Sequence, residues 1–200
     1  MVDLGSGGNL CINCHQARPM TPRPTIGGAP VAITSFRYGP HYGPQANIAA
    51  AQGFFHFVGS RTYPATPMAH GLAGCPDCHM VTPVGDQAGG HTFRLTYGAD
   101  GSTELIRACT QCHSSAASFD FMGAQTSTAE LMIVLKDLLT AEGIMRADNY
   151  ANTGTFDADV AAAFLNYKAV YHDGSLGVHH PEYVAALLIN TIEAMQARVQ

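Results

Sequence analysis

All six cysteines of this 200-residue chain lie in three copies of one pattern, C-x-x-C-H, and this repetition constrains the fold more than any other feature. The copies are Cys11-Ile12-Asn13-Cys14-His15, Cys75-Pro76-Asp77-Cys78-His79 and Cys109-Thr110-Gln111-Cys112-His113. No cysteine is left over. Each copy brings two thiols and an imidazole together in one short segment, so the chain is expected to be organised around three bound groups.

The chemistry of the pattern indicates which group is bound. C-x-x-C-H is the attachment signature of haem c: two thiols form thioethers with the porphyrin edge, and the adjacent histidine binds the iron. A lone C-x-x-C also occurs in zinc sites and redox disulfides, but neither requires a histidine directly after every second cysteine. We therefore predict three covalent c-type haems. The predicted haem-binding residues are Cys11, Cys14, His15, Cys75, Cys78, His79, Cys109, Cys112 and His113.

Charge and hydropathy exclude several classes of partner. Charged residues make up 12% of the chain, the formal net charge is −5, and there is no basic run, so nucleic acid is not an expected partner. The longest apolar stretch, residues 131–139, is interrupted by Lys136 and Asp137, which predicts a chain that does not span a membrane.

The expected location follows from the attachment chemistry. Residues 1–8 have no basic start and no apolar stretch, so they predict no secretory signal, and we interpret the sequence as a mature or incomplete form. Haem attachment to C-x-x-C-H takes place outside the cytoplasm. An extracellular or periplasmic location is therefore expected.

Composition divides the chain near residue 125. Ten of the eleven prolines and sixteen of the twenty-one glycines lie within residues 1–101, whereas residues 126–200 contain one proline. We predict one multihaem cytochrome c domain over residues 1–200 with little β-structure. Residues 1–125 would form a loop-rich haem-attachment region wrapped around the haems, and residues 126–200 a mainly α-helical region that supplies distal ligands.

Apolar periodicity predicts three helices in this second region. The first covers about residues 128–145, with Ser127 and Glu130 as a capping box. The second ends at His172-Asp173-Gly174, and the third begins at Pro181 and includes Val199.

Each haem iron has a second axial position, and seven histidines outside the motifs are candidates for it: His41, His56, His70, His91, His172, His179 and His180. Any single histidine is more often a packed or surface side chain than a ligand. This ordinary role is expected for His56 and His180 in particular.

Parts of the sequence resemble known families. The segment Met68-Ala69-His70-Gly71-Leu72-Ala73-Gly74-Cys75-Pro76-Asp77-Cys78-His79-Met80, then Gly90-His91-Thr92-Phe93 and His172-Asp173-Gly174-Ser175-Leu176-Gly177-Val178-His179-His180-Pro181, resembles multihaem cytochromes related to cytochrome c nitrite reductase. The segment Tyr38-Gly39-Pro40-His41-Tyr42-Gly43-Pro44-Gln45 is similar to extracellular multihaem cytochromes, which include filament-forming members.

The resemblance implies a set of distal ligands. By position, His70 would serve the Cys109/Cys112 haem, His91 the Cys11/Cys14 haem and His179 the Cys75/Cys78 haem. His41 and His172 are reserve candidates.

The predicted function is electron transfer through three bis-histidine haems, without catalysis. Expected partners are redox proteins or extracellular electron acceptors, and the chain is expected to form a homo-oligomer, with a polymeric filament as one form. The alternative is a haem reductase of a small oxyanion such as nitrite, in which Arg37, Arg61 or Arg94 would assist. The reductase family's active haem has a motif that ends in lysine, and no C-x-x-C-K occurs here.

Overall fold

The structure is a computed structural model that describes residues 2–4, 8–64, 70 and 73–198. Three long helices dominate it, and the shorter elements lie mostly in the first half of the chain. The helices are α1 (Asn9–Ile12), α2 (Gln45–Ala49), α3 (Cys75–His79), α4 (Arg107–Thr110), α5 (Ala124–Ala141), α6 (Ala158–Asp173) and α7 (Pro181–Ala197). The strands are β1 (Val31–Ile33), β2 (Thr96–Tyr97), β3 (Thr103–Glu104) and β4 (Gly154–Phe156).

The core lies where α5, α6 and α7 pack against one another. Helix α6 is apolar around most of its surface and is buried over nearly its whole length, as expected for a helix with neighbours on every side. Phe164 of α6 and Tyr183 and Leu187 of α7 are each fully buried in this core. The three helices therefore supply most of the apolar surface that this chain removes from water.

The first half of the chain packs onto these helices. Phe54, Phe55 and Phe57 are buried in the same core. Asn166 of α6 fixes this segment: its side chain accepts a hydrogen bond from the Phe55 N–H at 2.9 Å and donates one to the Phe55 carbonyl at 2.7 Å. A further tie is the antiparallel pairing of β1 with β4, in which Val31 lies opposite Phe156.

The predicted fold class, a multihaem cytochrome c fold with residues 1–125 wrapped as loops around haems, is wrong. The chain is mostly helical, with 41% helix and 7% strand, and the described part shows no haem-wrapping loops. The described part also contains no group of three or more His, Cys, Asp or Glu side chains arranged to hold a metal ion. The physical reason is that aromatic side chains of the first half fill a conventional core against the helices.

Three helices are present where periodicity predicted them, but both ends of the first one lie about four residues earlier than predicted. Helix α5 begins at Ala124, not near residue 128, and Ser127 does not cap it. Asp120 takes that role, since its carboxylate accepts hydrogen bonds from the backbone N–H groups of Gln125 and Thr126 at 2.8 and 3.1 Å. The helix ends at Ala141, just before Gly143, which has a φ of 77°.

Helix α6 ends, and helix α7 begins, where the sequence predicted. Helix α6 is followed by Gly174, whose φ of 72° is the left-handed conformation that commonly terminates a helix. Helix α7 begins at Pro181, in the first helical position, and His180 caps it by accepting a hydrogen bond from the Tyr183 N–H. Val199, predicted to extend this helix, lies outside the described residues, as do Met68, Ala69, Gly71 and Leu72 of the segment around His70.

None of the helices in the described part of the chain is long and apolar enough to cross a membrane.

Candidate functional site

Each C-x-x-C-H motif forms a single helical turn. The second motif is helix α3 itself. In the first, the His15 N–H donates to the Cys11 carbonyl at 2.9 Å, and in the third, the His113 N–H donates to the Cys109 carbonyl at 2.8 Å. Side chains three and four residues apart share a helix face. Both thiols and the imidazole of a motif therefore lie on one side of its turn.

The three motifs lie close to one another, although up to 102 positions separate their residues in the sequence. The Cys75 thiol is within hydrogen-bonding reach of Cys11, and Cys78 interacts electrostatically with Cys109 and Cys112. All six cysteines are free thiols. Burial raises the pKa of Cys75, Cys78 and Cys109, and neighbouring thiols or carboxylates raise it further. Reactive redox thiols require the opposite shift.

One motif histidine faces a distant histidine from the end of the chain. The ring centres of His79 and His179 are 6.3 Å apart, with an angle of 35° between the ring planes. His79 donates from Nδ1 to the Phe93 carbonyl at 2.9 Å, and His179 donates from Nδ1 to Oδ1 of Asp173 at 2.6 Å. Within the described part of the chain, the Nε2 atom of neither ring makes a hydrogen bond.

The electrostatic surroundings of these two imidazoles differ. Burial lowers the pKa of His79, and the nearby His179 and His15 add to that effect against the Phe93 hydrogen bond. Burial also acts to lower the pKa of His179, but the charge and hydrogen bond of Asp173 outweigh it, so that its pKa is raised.

A second pair is formed by His70 and His113. Their ring centres are 5.9 Å apart and their planes are nearly perpendicular, at 89°. His70 donates from Nδ1 to the Val178 carbonyl at 2.6 Å, one residue before His179 in the chain. The His113 ring also contacts Phe121, with ring centres 4.7 Å apart. The loop between α6 and α7 therefore supports both imidazole pairs.

The ring-centre separations of these two pairs are those expected for two imidazoles on opposite sides of one metal ion. Metal–imidazole nitrogen bonds of about 2 Å on opposite sides of one metal place two ring centres about 6 Å apart. Both observed separations match that value. Ligand histidines also hold Nδ1–H on an acceptor, which directs Nε2 to the metal. Three of these four rings show that arrangement, at His70, His79 and His179.

The third predicted pair is not brought together. His15 and His91 make no ring contact with each other, although the structure describes both residues, and both are exposed. His15 Nδ1 is 3.2 Å from Oε1 of Gln45. His91 lies in a short 3₁₀ turn, Gly90–Thr92.

The reserve candidates His41 and His172 both contact the Tyr42 ring. The Tyr42 ring centre is 4.8 Å from that of His41 and 4.7 Å from that of His172. Burial, with the nearby charges of Lys168 and His41, lowers the pKa of His172 to about 4. His41 is exposed and adopts a positive φ of 65°.

The other candidate histidines, and the three arginines named for the reductase alternative, make other contacts. His56 stacks on Tyr63 at a ring separation of 4.0 Å, and His180 caps α7. The Arg61 N–H donates to Asn190, and Arg94 lines a cavity of about 380 Å³ together with Asp86. Arg37 lines a smaller polar cavity of about 210 Å³ with Ser35 and Thr34.

Two residues that the sequence analysis missed support the candidate ligands. Asp173 holds His179, and Gln45 holds His15 while donating from Nε2 to the His172 carbonyl at 3.0 Å. Both residues stand in segments that carry a resemblance, Gln45 in residues 38–45 and Asp173 in residues 172–181, but neither was given a role. The nearest signal is the position of Asp173 six residues before His179, in a segment that was interpreted as a helix end and as part of the resemblance.

Comparison of this chain with protein-family models, with curated proteins and with solved structures gave no match.

Proposed function

We propose that this chain is an electron-transfer protein that binds three c-type haems through its C-x-x-C-H motifs. One observation carries the proposal: histidines of two different motifs each face a distant histidine at the separation that two axial ligands of one iron require. The resemblance in sequence implies the same two pairs, and neither pair is local in the chain.

In this proposal the haem supplies the reversible one-electron change, and the protein supplies attachment, ligand orientation and insulation. The motif cysteines would hold the porphyrin edge. The carbonyls of Phe93 and Val178 hold imidazole Nδ1 atoms, which would leave Nε2 of His79 and His70 to bind an iron. With bis-histidine ligation, no protein group is required to make or break a substrate bond.

The direct test is the mass of the holoprotein produced with an extracytoplasmic c-type maturation system. We expect three covalently attached haems and a matching haem:protein ratio in the pyridine haemochrome assay. Replacing both cysteines of one motif, for example in C75A/C78A, should remove one haem. Protein that carries zinc or disulfides after maturation, and fewer than three haems, would refute the proposal.

The proposal extends to location and assembly. Because haem attachment is extracytoplasmic, the protein would act in the periplasm or outside the cell, with redox proteins or extracellular acceptors as partners. His15 is exposed, and so is His41. A histidine from a neighbouring copy could therefore reach the His15 iron, which would link successive copies into a polymer. Electron microscopy of the holoprotein tests this: filaments are expected, and particles of single-copy size would exclude them.

The exposure of His15 also favours a second candidate function, reduction of a small oxyanion such as nitrite. An iron bound by an exposed histidine and no second protein ligand would have one position open to substrate. The oxidised absorption spectrum separates the candidates. A high-spin band that disappears when nitrite is added would support the reductase, and a fully low-spin spectrum would support the electron carrier.

A further inference from the structure

The imidazoles assigned to the haem irons differ in the acceptor that holds Nδ1. His70 and His79 donate to neutral backbone carbonyls, and His15 lies beside a neutral amide. His179 alone among these donates to a carboxylate, that of Asp173, at 2.6 Å. The two imidazole pairs are therefore chemically unequal, although both are bis-histidine.

The Asp173 side chain is buried and is held in place by hydrogen bonds. Its side chain is fully buried, and His179 is 28% exposed. The carboxylate also accepts hydrogen bonds from the hydroxyl and the backbone N–H of Ser175, and the His179 N–H in turn donates to the Ser175 hydroxyl at 3.2 Å. These contacts fix the carboxylate where little water screens it, so its effect on the imidazole is strong.

A carboxylate on the far nitrogen makes an imidazole a more basic metal ligand. A more basic ligand and a nearby negative charge both stabilise the ferric state more than the ferrous state. Second-shell hydrogen bonds of this kind are among the features by which proteins set haem potentials.

Resting on the proposed function, we propose that Asp173 is a positioning residue that gives the His79/His179 haem a lower reduction potential than the His70/His113 haem. Electrons would then reside preferentially on the His70/His113 haem. Transfer of an electron onto the His79/His179 haem would be the slowest transfer within the chain. The haems of the three motifs would thus differ in reduction potential.

The test is a redox titration of the three-haem holoprotein, with Asp173→Asn as the main variant. Asparagine keeps the size and an acceptor oxygen but removes the charge. We expect the ratio of reduced to oxidised iron at one haem to rise about tenfold at fixed applied potential, equivalent to about 59 mV. The other two haems should change less than twofold.

The matched control is Asp157→Asn. Asp157 caps the opposite end of α6, about 24 Å from Asp173 at 1.5 Å per residue, and asparagine is also a good N-cap. The control removes one carboxylate from the same helix, so a general charge effect would appear in both variants. Of these two variants, only Asp173→Asn should shift the reduction potential of a haem.

A second variant protects the test against loss of ligation in Asp173→Asn. Ser175→Ala removes a hydrogen bond from the Asp173 carboxylate and leaves more of its charge to His179, so the potential of the same haem should fall. Unchanged potentials in both variants, or equal shifts at all three haems, would overturn the inference. A protein with fewer than three haems would instead overturn the proposed function.

Discussion

The two imidazole pairs differ in ring orientation, and this difference predicts two kinds of electron paramagnetic resonance (EPR) signal. The planes of His79 and His179 are 35° apart, whereas those of His70 and His113 are 89° apart. In low-spin ferric haem, imidazole planes that are close to parallel split two iron d orbitals, and perpendicular planes leave them nearly equal in energy. We expect a rhombic signal from the first pair and a strongly axial signal from the second.

The magnitudes follow from the count of sites. With the three proposed haems per chain, each of these signals should integrate to one third of the iron in the oxidised holoprotein. His179→Ala should remove the rhombic third, because that iron loses a ligand and becomes high-spin. His70→Ala should remove the axial third by the same reasoning.

His56→Ala is the control for these variants. His56 contacts Tyr63 and Tyr183 and belongs to neither pair, so its replacement should leave both signals intact. The reasoning is refuted if His179→Ala removes the axial signal, or if both pairs give the same signal in the intact protein. The low-temperature EPR spectrum and its spin integration decide between these outcomes.

Three further predictions concern stability, each measured by chemical denaturation. Asn166→Ala leaves two buried backbone groups without partners and should cost about 3 kcal/mol, whereas Asn152→Ala, at an exposed site, should cost about 1 kcal/mol or less. Leu135→Ala in the core of α5 should cost about 3 kcal/mol, and Val134→Ala, 42% exposed on the same helix, much less. Burial raises the pKa of Tyr38 to about 12, so its contribution to stability is present below about pH 10 and is lost as the pH rises to about 12. The Tyr38→Phe variant should therefore lose stability less steeply between those pH values than the parent chain.

Each stability prediction has a contrary result. Equal losses for Asn166→Ala and Asn152→Ala would show that the buried amide does not fix the aromatic segment. Equal losses for Leu135→Ala and Val134→Ala would contradict the assigned burial. Identical alkaline slopes for the parent and Tyr38→Phe would show that Tyr38 ionises equally in the folded and unfolded chains.

The helices of the second half were predictable because their signals are local. Pro181 suits the first helical position, and Gly174 suits a left-handed helix end. The start of α5 was not predictable in the same way, because Asp120 caps it from just before a 3₁₀ turn (Phe121–Gly123) that gives no periodic pattern.

The first half was mispredicted because composition is a weak guide to core formation. Proline and glycine indicated loops, but Phe54, Phe55 and Phe57 anchor part of that region in the core. The imidazole pairs His70/His113 and His79/His179 were expected from a resemblance between motifs. The acceptor of His70, the Val178 carbonyl, depends on a long-range tertiary contact, whereas Asp173 lies only six residues before His179 and its role was not recognised.

The burial of α7 has a consequence for the order of synthesis. Tyr183 and Leu187 are fully buried at the centre of the core, yet this helix follows α5 and α6 in the chain. A nascent chain therefore exposes the apolar faces of α5 and α6 until α7 emerges. All three C-x-x-C-H segments precede α7, so their thiols are synthesised while the core is still open.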